Sequence, residues 1–141
     1  MRQEPSTRRR EKGRAIQMFA LVLGAAYLMM GGLGFILPLL SEDLPGTMGA
    51  PDGSLLGILA VGPFLTVTHI LTGTAGLTVC KSYRDSKVYA LVTGIGYLAL
   101  FLLEVLSGSA GVLGSLLPSG GANAGLHFLT GFFALQVYAH W

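Results

Sequence analysis

Four long intervals without a charged residue constrain this chain more than any other feature. No Asp, Glu, Lys or Arg occurs between Arg14 and Glu42, between Asp52 and Lys81, between Lys87 and Glu104, or after Glu104. A helix needs about 20 mostly apolar residues to cross the hydrocarbon core of a bilayer. The first two intervals each hold one crossing. The stretch from Val88 to Trp141 holds two, divided by the turn-rich segments Ser107-Gly108-Ser109-Ala110-Gly111 and Pro118-Ser119-Gly120-Gly121. The sequence therefore predicts an all-α integral membrane protein, with helices over residues 15–40, 62–80, 88–106 and 123–141 behind a basic tail at 1–14. Composition agrees: 11% of the residues are charged, against about 25% in a soluble domain, too few to cover a water-soluble fold.

All nine Lys and Arg residues lie before the first crossing (Arg2, Arg8, Arg9, Arg10, Lys12, Arg14) or between the second and third (Lys81, Arg84, Lys87). Basic residues in short loops mark the cytoplasmic side. The N-terminus, the middle turn and, after four crossings, the C-terminus are thus expected inside a plasma membrane. The first apolar run, Ala15 to Leu40, exceeds the 7–15 residues of a signal-peptide core and ends in no small-residue cleavage site, so a retained helix is expected. The single cysteine, Cys80, excludes an internal disulfide and a cysteine-based metal site.

The chain contains an internal repeat. Ala20-Leu21-Val22-Leu23-Gly24-Ala25-Ala26-Tyr27-Leu28 matches Ala90-Leu91-Val92-Thr93-Gly94-Ile95-Gly96-Tyr97-Leu98, and His69-Ile70-Leu71-Thr72-Gly73 matches His127-Phe128-Leu129-Thr130-Gly131. Between them, Leu56-Gly57-Ile58-Leu59 parallels Leu113-Gly114-Ser115-Leu116. Each half crosses twice, so the expected arrangement is two repeated hairpins related by a pseudo-twofold axis along the membrane normal. The paired Leu-Gly-x-Leu segments are expected as short interfacial or partly re-entrant turns on the outer side. Pro63 and Pro118 fit there, because proline suits a helix start or a loop.

Gly34-Phe35, the run His69-Ile70-Leu71-Thr72-Gly73-Thr74-Ala75-Gly76-Leu77, Gly94-Ile95-Gly96-Tyr97 and the late Leu126-His127 carry a resemblance to a family. The chain resembles the small bacterial membrane proteins known as domain of unknown function DUF4383. The resemblance implies the same four-crossing topology and brings no activity with it. Where it leads one to expect an acidic residue just before the last histidine, this chain has Asn123.

Helical spacing places small and polar residues on one stripe per helix: Ala20, Gly24, Tyr27, Gly31 and Gly34; Thr66, His69, Gly73 and Gly76; Ala90, Gly94, Tyr97, Phe101 and Glu104; Asn123, His127, Gly131 and Ala134. Small residues let helix backbones approach in lipid, so the stripes are expected to face one another, with Gly24, Gly73, Gly94 and Gly131 as packing positions. Tyr27, His69, Tyr97, Glu104, Asn123 and His127 form the candidate polar cluster. An ionisable residue inside a membrane helix is a functional hypothesis by default. Three roles fit: interhelical hydrogen bonds that fix the register, ligation of haem or another metal by His69 and His127, and proton relay or polar permeation through His69, His127 and Glu104. The first is favoured, since such contacts commonly hold membrane helices together, and no cofactor is expected.

Tyr138, His140 and Trp141 suit an interfacial anchor. The Arg8-Arg9-Arg10 cluster, next to a membrane helix, fits lipid headgroups better than nucleic acid. Phosphate-binding loops, dinucleotide fingerprints, zinc-protease motifs and serine-nucleophile elbows are lacking, and the outer connections leave no room for a catalytic domain, so an enzyme is not expected. The expected role is that of a structural or accessory subunit in the lipid bilayer, within a homo-oligomer or a larger membrane complex. The alternative is a transport, proton-relay or cofactor-binding module.

Overall fold

The computed structural model describes residues 6–40, 54–55, 59–60, 62–107 and 121–141. They form four helices: α1 (Ser6–Leu40), α2 (Pro63–Val79), α3 (Tyr83–Ser107) and α4 (Gly121–His140). Between α1 and α2, β1 (Ser54–Leu55) and β2 (Leu59–Ala60) pair antiparallel, with Ser54 opposite Ala60 and Leu55 opposite Leu59. The first Leu-Gly-x-Leu segment therefore ends in a strand, and β2 lies against α4. The second such segment, Leu113 to Leu116, and Pro118 fall outside the described residues.

The helix boundaries differ from expectation mainly at two N-termini, where polar residues extend an apolar span. The supposed tail is helical from Ser6, because Arg, Glu and Lys are good helix formers that continue α1 beyond its apolar span. Likewise α3 begins at Tyr83. Ser82 precedes it and accepts the Ser86 backbone N–H at 2.9 Å, and Asp85 in the first turn complements the positive end of the helix dipole. Pro63 opens α2 behind Gly62, whose backbone is extended (φ −143, ψ 158), the position where proline's missing N–H costs nothing.

By length and composition, two helical stretches can cross a membrane: Arg10–Ile36 in α1 and Tyr83–Leu106 in α3. The apolar part of α2, Phe64–Val79, is shorter. In α4, Asn123, His127, Gln136 and His140 dilute the apolar character of a segment that is long enough.

All four stripes turn inward. Every residue assigned to them is buried except Phe101, which is half-buried. The opposite faces carry large apolar side chains in the open, among them Val22 at 61% exposure, Met29 at 68% and Leu106 at 80%. Large apolar side chains outside, with many polar ones among those buried, depart from the pattern of a water-soluble bundle.

Two hairpins, α1 with α2 and α3 with α4, account for most of the packing, and they meet chiefly along α1 and α3. In the first, the helices approach backbone to backbone. A Cβ on Gly24 would stand 2.9 Å from Leu77 N and 3.0 Å from Gly73 O. One on Gly76 would stand 2.7 Å from both Ala20 O and Gly24 Cα, and one on Gly31 2.8 Å from Ile70 N. In the second hairpin side chains come first: Cβ atoms on Gly94 and Gly131 would meet the side chains of Leu135 and Leu98, both at 2.7 Å, and then their backbone nitrogens at 3.1 and 2.9 Å. Between α2 and α3 a groove of about 390 Å³ opens sideways, lined by Thr68, Thr72, Tyr89, Thr93 and Tyr97 among others.

Candidate functional site: a polar cluster on the bundle axis

Each helix contributes one aromatic ring to the centre of the bundle. Tyr27 of α1 lies 5.0 Å from His69 of α2, His69 lies 6.1 Å from His127 of α4, His127 lies 5.3 Å from Tyr97 of α3, and Tyr97 lies 4.9 Å from Tyr27, between ring centroids. The four rings make a closed circuit. The histidines face inward, His69 at 8% exposure and His127 at 1%.

Hydrogen bonds tie this circuit across the hairpin boundary. The Tyr27 hydroxyl pairs with Thr130 Oγ1 at 2.6 Å, joining α1 to α4. The Tyr97 hydroxyl donates to Thr72 Oγ1 at 3.2 Å, joining α3 to α2. From closer to the α2–α3 turn, the Tyr89 hydroxyl donates to the Thr72 carbonyl at 3.1 Å. Glycines thus pack the helices within a hairpin, and these hydroxyl bridges join one hairpin to the other. Interhelical hydrogen bonds in membranes contribute about 0.6 kcal/mol on average, rising to about 1.7. Tyr27→Phe and Thr130→Ala should therefore each lower unfolding free energy in mixed micelles by about 0.5–1.5 kcal/mol. The double variant should cost no more than the larger single effect; additive losses would mean that the two hydroxyls do not act on each other.

Glu104 approaches the circuit from α3. His127 Nδ1 lies 3.0 Å from Oε2 in hydrogen-bonding geometry and equally 3.0 Å from Oε1. Glu104 is 4% exposed, so the carboxyl group is withdrawn from solvent and its main contact is an imidazole. The Nε2 atoms of both His69 and His127 are buried without a hydrogen-bond partner among the described residues. Asn123, one turn before His127, is buried as well. The geometry thus brings all six residues of the predicted cluster into the interior and draws Glu104, His127 and His69 together.

Sequence reasoning missed Thr72, Thr130 and Tyr89. Both threonines stand in the repeated His-x-Leu-Thr-Gly motif, three residues after each histidine, and that spacing puts them on the histidine face; this was the available signal. Among the described residues no group of three or more His, Cys, Asp or Glu side chains is arranged to hold a metal ion. Haem between the histidines is disfavoured by packing, because Tyr27 and Tyr97 occupy the flanks where a macrocycle would lie.

At the end of the bundle that carries the α2–α3 turn, the Tyr83 hydroxyl donates to the Trp141 carbonyl. Lys87 Nζ stands 5.3 Å from the centre of the Tyr138 ring, within cation–π range. Gln17 Nε2 donates to the Lys81 carbonyl at 2.8 Å, fastening α1 to the α2–α3 turn. Cys80 Sγ contacts the Leu77 carbonyl at 3.1 Å.

The fold and its interior define a class: a small four-helix bundle with an apolar exterior and a histidine- and tyrosine-centred core. Residues 17–140 match the family model described as Domain of unknown function (DUF4383), and the chain belongs to that family. No curated protein matches the chain, and no solved structure does.

Proposed function

We propose that this chain is a multi-pass protein of the bacterial plasma membrane, with both termini in the cytoplasm, acting by helix packing as a structural or accessory subunit. The observation that carries the membrane reading is the inverted surface: large aliphatic and aromatic side chains exposed along every helix around an interior that holds Thr, Ser, His, Glu, Asn and Tyr beside alanines, Ile16 and Leu65. In water such a surface would aggregate; in lipid it is the favourable one.

Matched contacts support the duplicated hairpin. Tyr27–Thr130 and Tyr97–Thr72 exchange under the repeat, which equates Tyr27 with Tyr97 and Thr72 with Thr130. Tyr27–His69 at 5.0 Å likewise answers to Tyr97–His127 at 5.3 Å, and Gly73 against Leu28 answers to Gly131 against Leu98. A pseudo-twofold axis along the membrane normal accounts for all three pairs. It breaks at Glu104, whose counterpart in α1 is Gly34.

The accessory role rests on the absence of any catalytic motif in the sequence and on the small size of the chain outside its helices; partners are the lipid bilayer and either further copies or a larger complex. Two measurements test the reading. Cysteines placed near Arg84 and in the basic N-terminal segment, in a Cys80→Ser background, should resist a membrane-impermeant thiol reagent in intact cells, while cysteines at Asp52 and Ser119 should react. Labelling at Arg84 from outside would overturn the topology. Capture of the tagged chain from native membranes in mild detergent should yield stoichiometric partners or a defined oligomer; a strictly monomeric, partner-free chain would overturn the accessory role.

A further inference from the structure

We propose that the Nε2 atoms of His69 and His127 form a two-coordinate site for one monovalent copper ion on the bundle axis, with Glu104 as the outer partner of His127. This goes beyond the accessory role and does not depend on it. The site is built from two buried imidazoles on different helices, each with Nε2 unpartnered among the described residues. A buried polar atom without a partner is costly and calls for an explanation. Copper on His127 Nε2 requires the ring proton on Nδ1, where the Glu104 carboxyl group, 3.0 Å away, is placed to accept it. A carboxylate holding the second nitrogen of a metal-bound histidine is the usual outer-partner arrangement.

Distance fits as well. The ring centroids are 6.1 Å apart, and each nitrogen sits about 1.1 Å from its ring centre, so rings that turn Nε2 toward Nε2 would hold them about 4 Å apart, the span of two metal–nitrogen bonds of about 2.0–2.1 Å. The interplanar angle of 65° is no obstacle, since imidazoles trans on a linear ion rotate freely about the shared axis.

Donor number and charge select the ion. Zinc takes four ligands, and no third donor of the His, Cys, Asp or Glu type joins the pair among the described residues. Monovalent copper, a d10 ion, accepts two nitrogens in line, and imidazole is among its suitable ligands. One positive charge against the Glu104 carboxylate leaves the site neutral, as a hydrocarbon surround demands. A divalent ion would leave a net charge there.

The test uses full-length protein purified in detergent, carrying Cys80→Ser, under anaerobic reducing conditions, with Cu(I) titrated against a bicinchoninate competitor. One Cu(I) per chain should be retained, with two nitrogen and no sulfur neighbours by X-ray absorption. His69→Asn and His127→Asn should each weaken retention at least 100-fold, His140→Asn should leave it unchanged, and Glu104→Gln should weaken it about 10–100-fold at unchanged stoichiometry. The absorption spectrum of the copper-loaded Cys80→Ser protein, with both histidines intact, decides the matter even if the histidine variants fold poorly. Complete loss of Cu(I) to the competitor, sulfur neighbours, unchanged binding in the His69→Asn/His127→Asn double variant, or preference for Zn(II) would each overturn the site.

Discussion

Gly73→Leu and Gly24→Leu are expected to yield no folded bundle in detergent, whereas Gly96→Leu should stay within about 0.5 kcal/mol of the parent protein. A Cβ on Gly73 would already lie 2.6 Å from Leu28 Cα, and one on Gly24 3.0 Å from Gly76 C. Backbone atoms of a neighbouring helix cannot move aside as a side chain can, so the helices must separate and lose the seam between them. Alanine makes a graded test. Overpacking costs about 1–3 kcal/mol, and Gly73→Ala and Gly24→Ala should fall at or above the upper end. Gly94→Ala should cost less than Gly24→Ala, because Leu135 meets it with a movable side chain. Gly96, whose Cβ would meet nothing within 4 Å, should gain up to about 1 kcal/mol on changing to alanine, through helix propensity alone. Unfolding in mixed micelles with a helicity readout checks the series. A common sign across all four positions would mean that the seams are wrongly assigned.

The second large effect belongs to the acid–imidazole pair. His127→Leu should destabilise the bundle by about 1–3 kcal/mol, the usual cost of leaving a buried polar group without its hydrogen-bond partner. Glu104 would then be left 4% exposed without its imidazole. The double variant His127→Leu/Glu104→Leu should recover most of that loss, because two apolar side chains of similar bulk leave nothing stranded. Equilibrium unfolding of the two single variants and the double variant supplies the cycle. Additive losses would mean that the 3.0 Å contact carries no coupling.

Much of this arrangement was legible in the sequence because period and residue size point the same way. Ala20, Gly24, Tyr27, Gly31 and Gly34 are spaced by four or three residues and are all small or polar, so a helix has only one face to give them; all five are buried. The same holds for Thr66, His69, Gly73 and Gly76. Phe101 fitted the period of α3 but is half-buried, because its ring packs on Phe128, 5.2 Å away, at the rim of the α3–α4 seam. Partnership is a different kind of information. That Glu104 would pair with His127 rather than His69 depends on the relative rotation of α3 and α4, which no single helix encodes. The facing stripes predicted only a shared neighbourhood. The start of α1 was misjudged for a simpler reason: charge-free intervals delimit what lipid can cover, and Arg8 to Arg14 continue the helix beyond that limit.

The division of labour between glycine seams and hydroxyl bridges also bears on the order in which the molecule is made. The backbone neighbours that Gly24, Gly31, Gly73 and Gly76 require all lie between Ala20 and Leu77. As the chain emerges N-terminus first, α1 and α2 have everything they need to zip together while α3 is still unsynthesised. Tyr27, Thr72 and His69 are in the opposite position. Their mates Thr130, Tyr97 and His127 arrive only with the second half, so for that interval a newly made pair of helices presents unsatisfied polar groups sideways. The nascent half-protein is thereby made sticky toward one partner, its own remaining half.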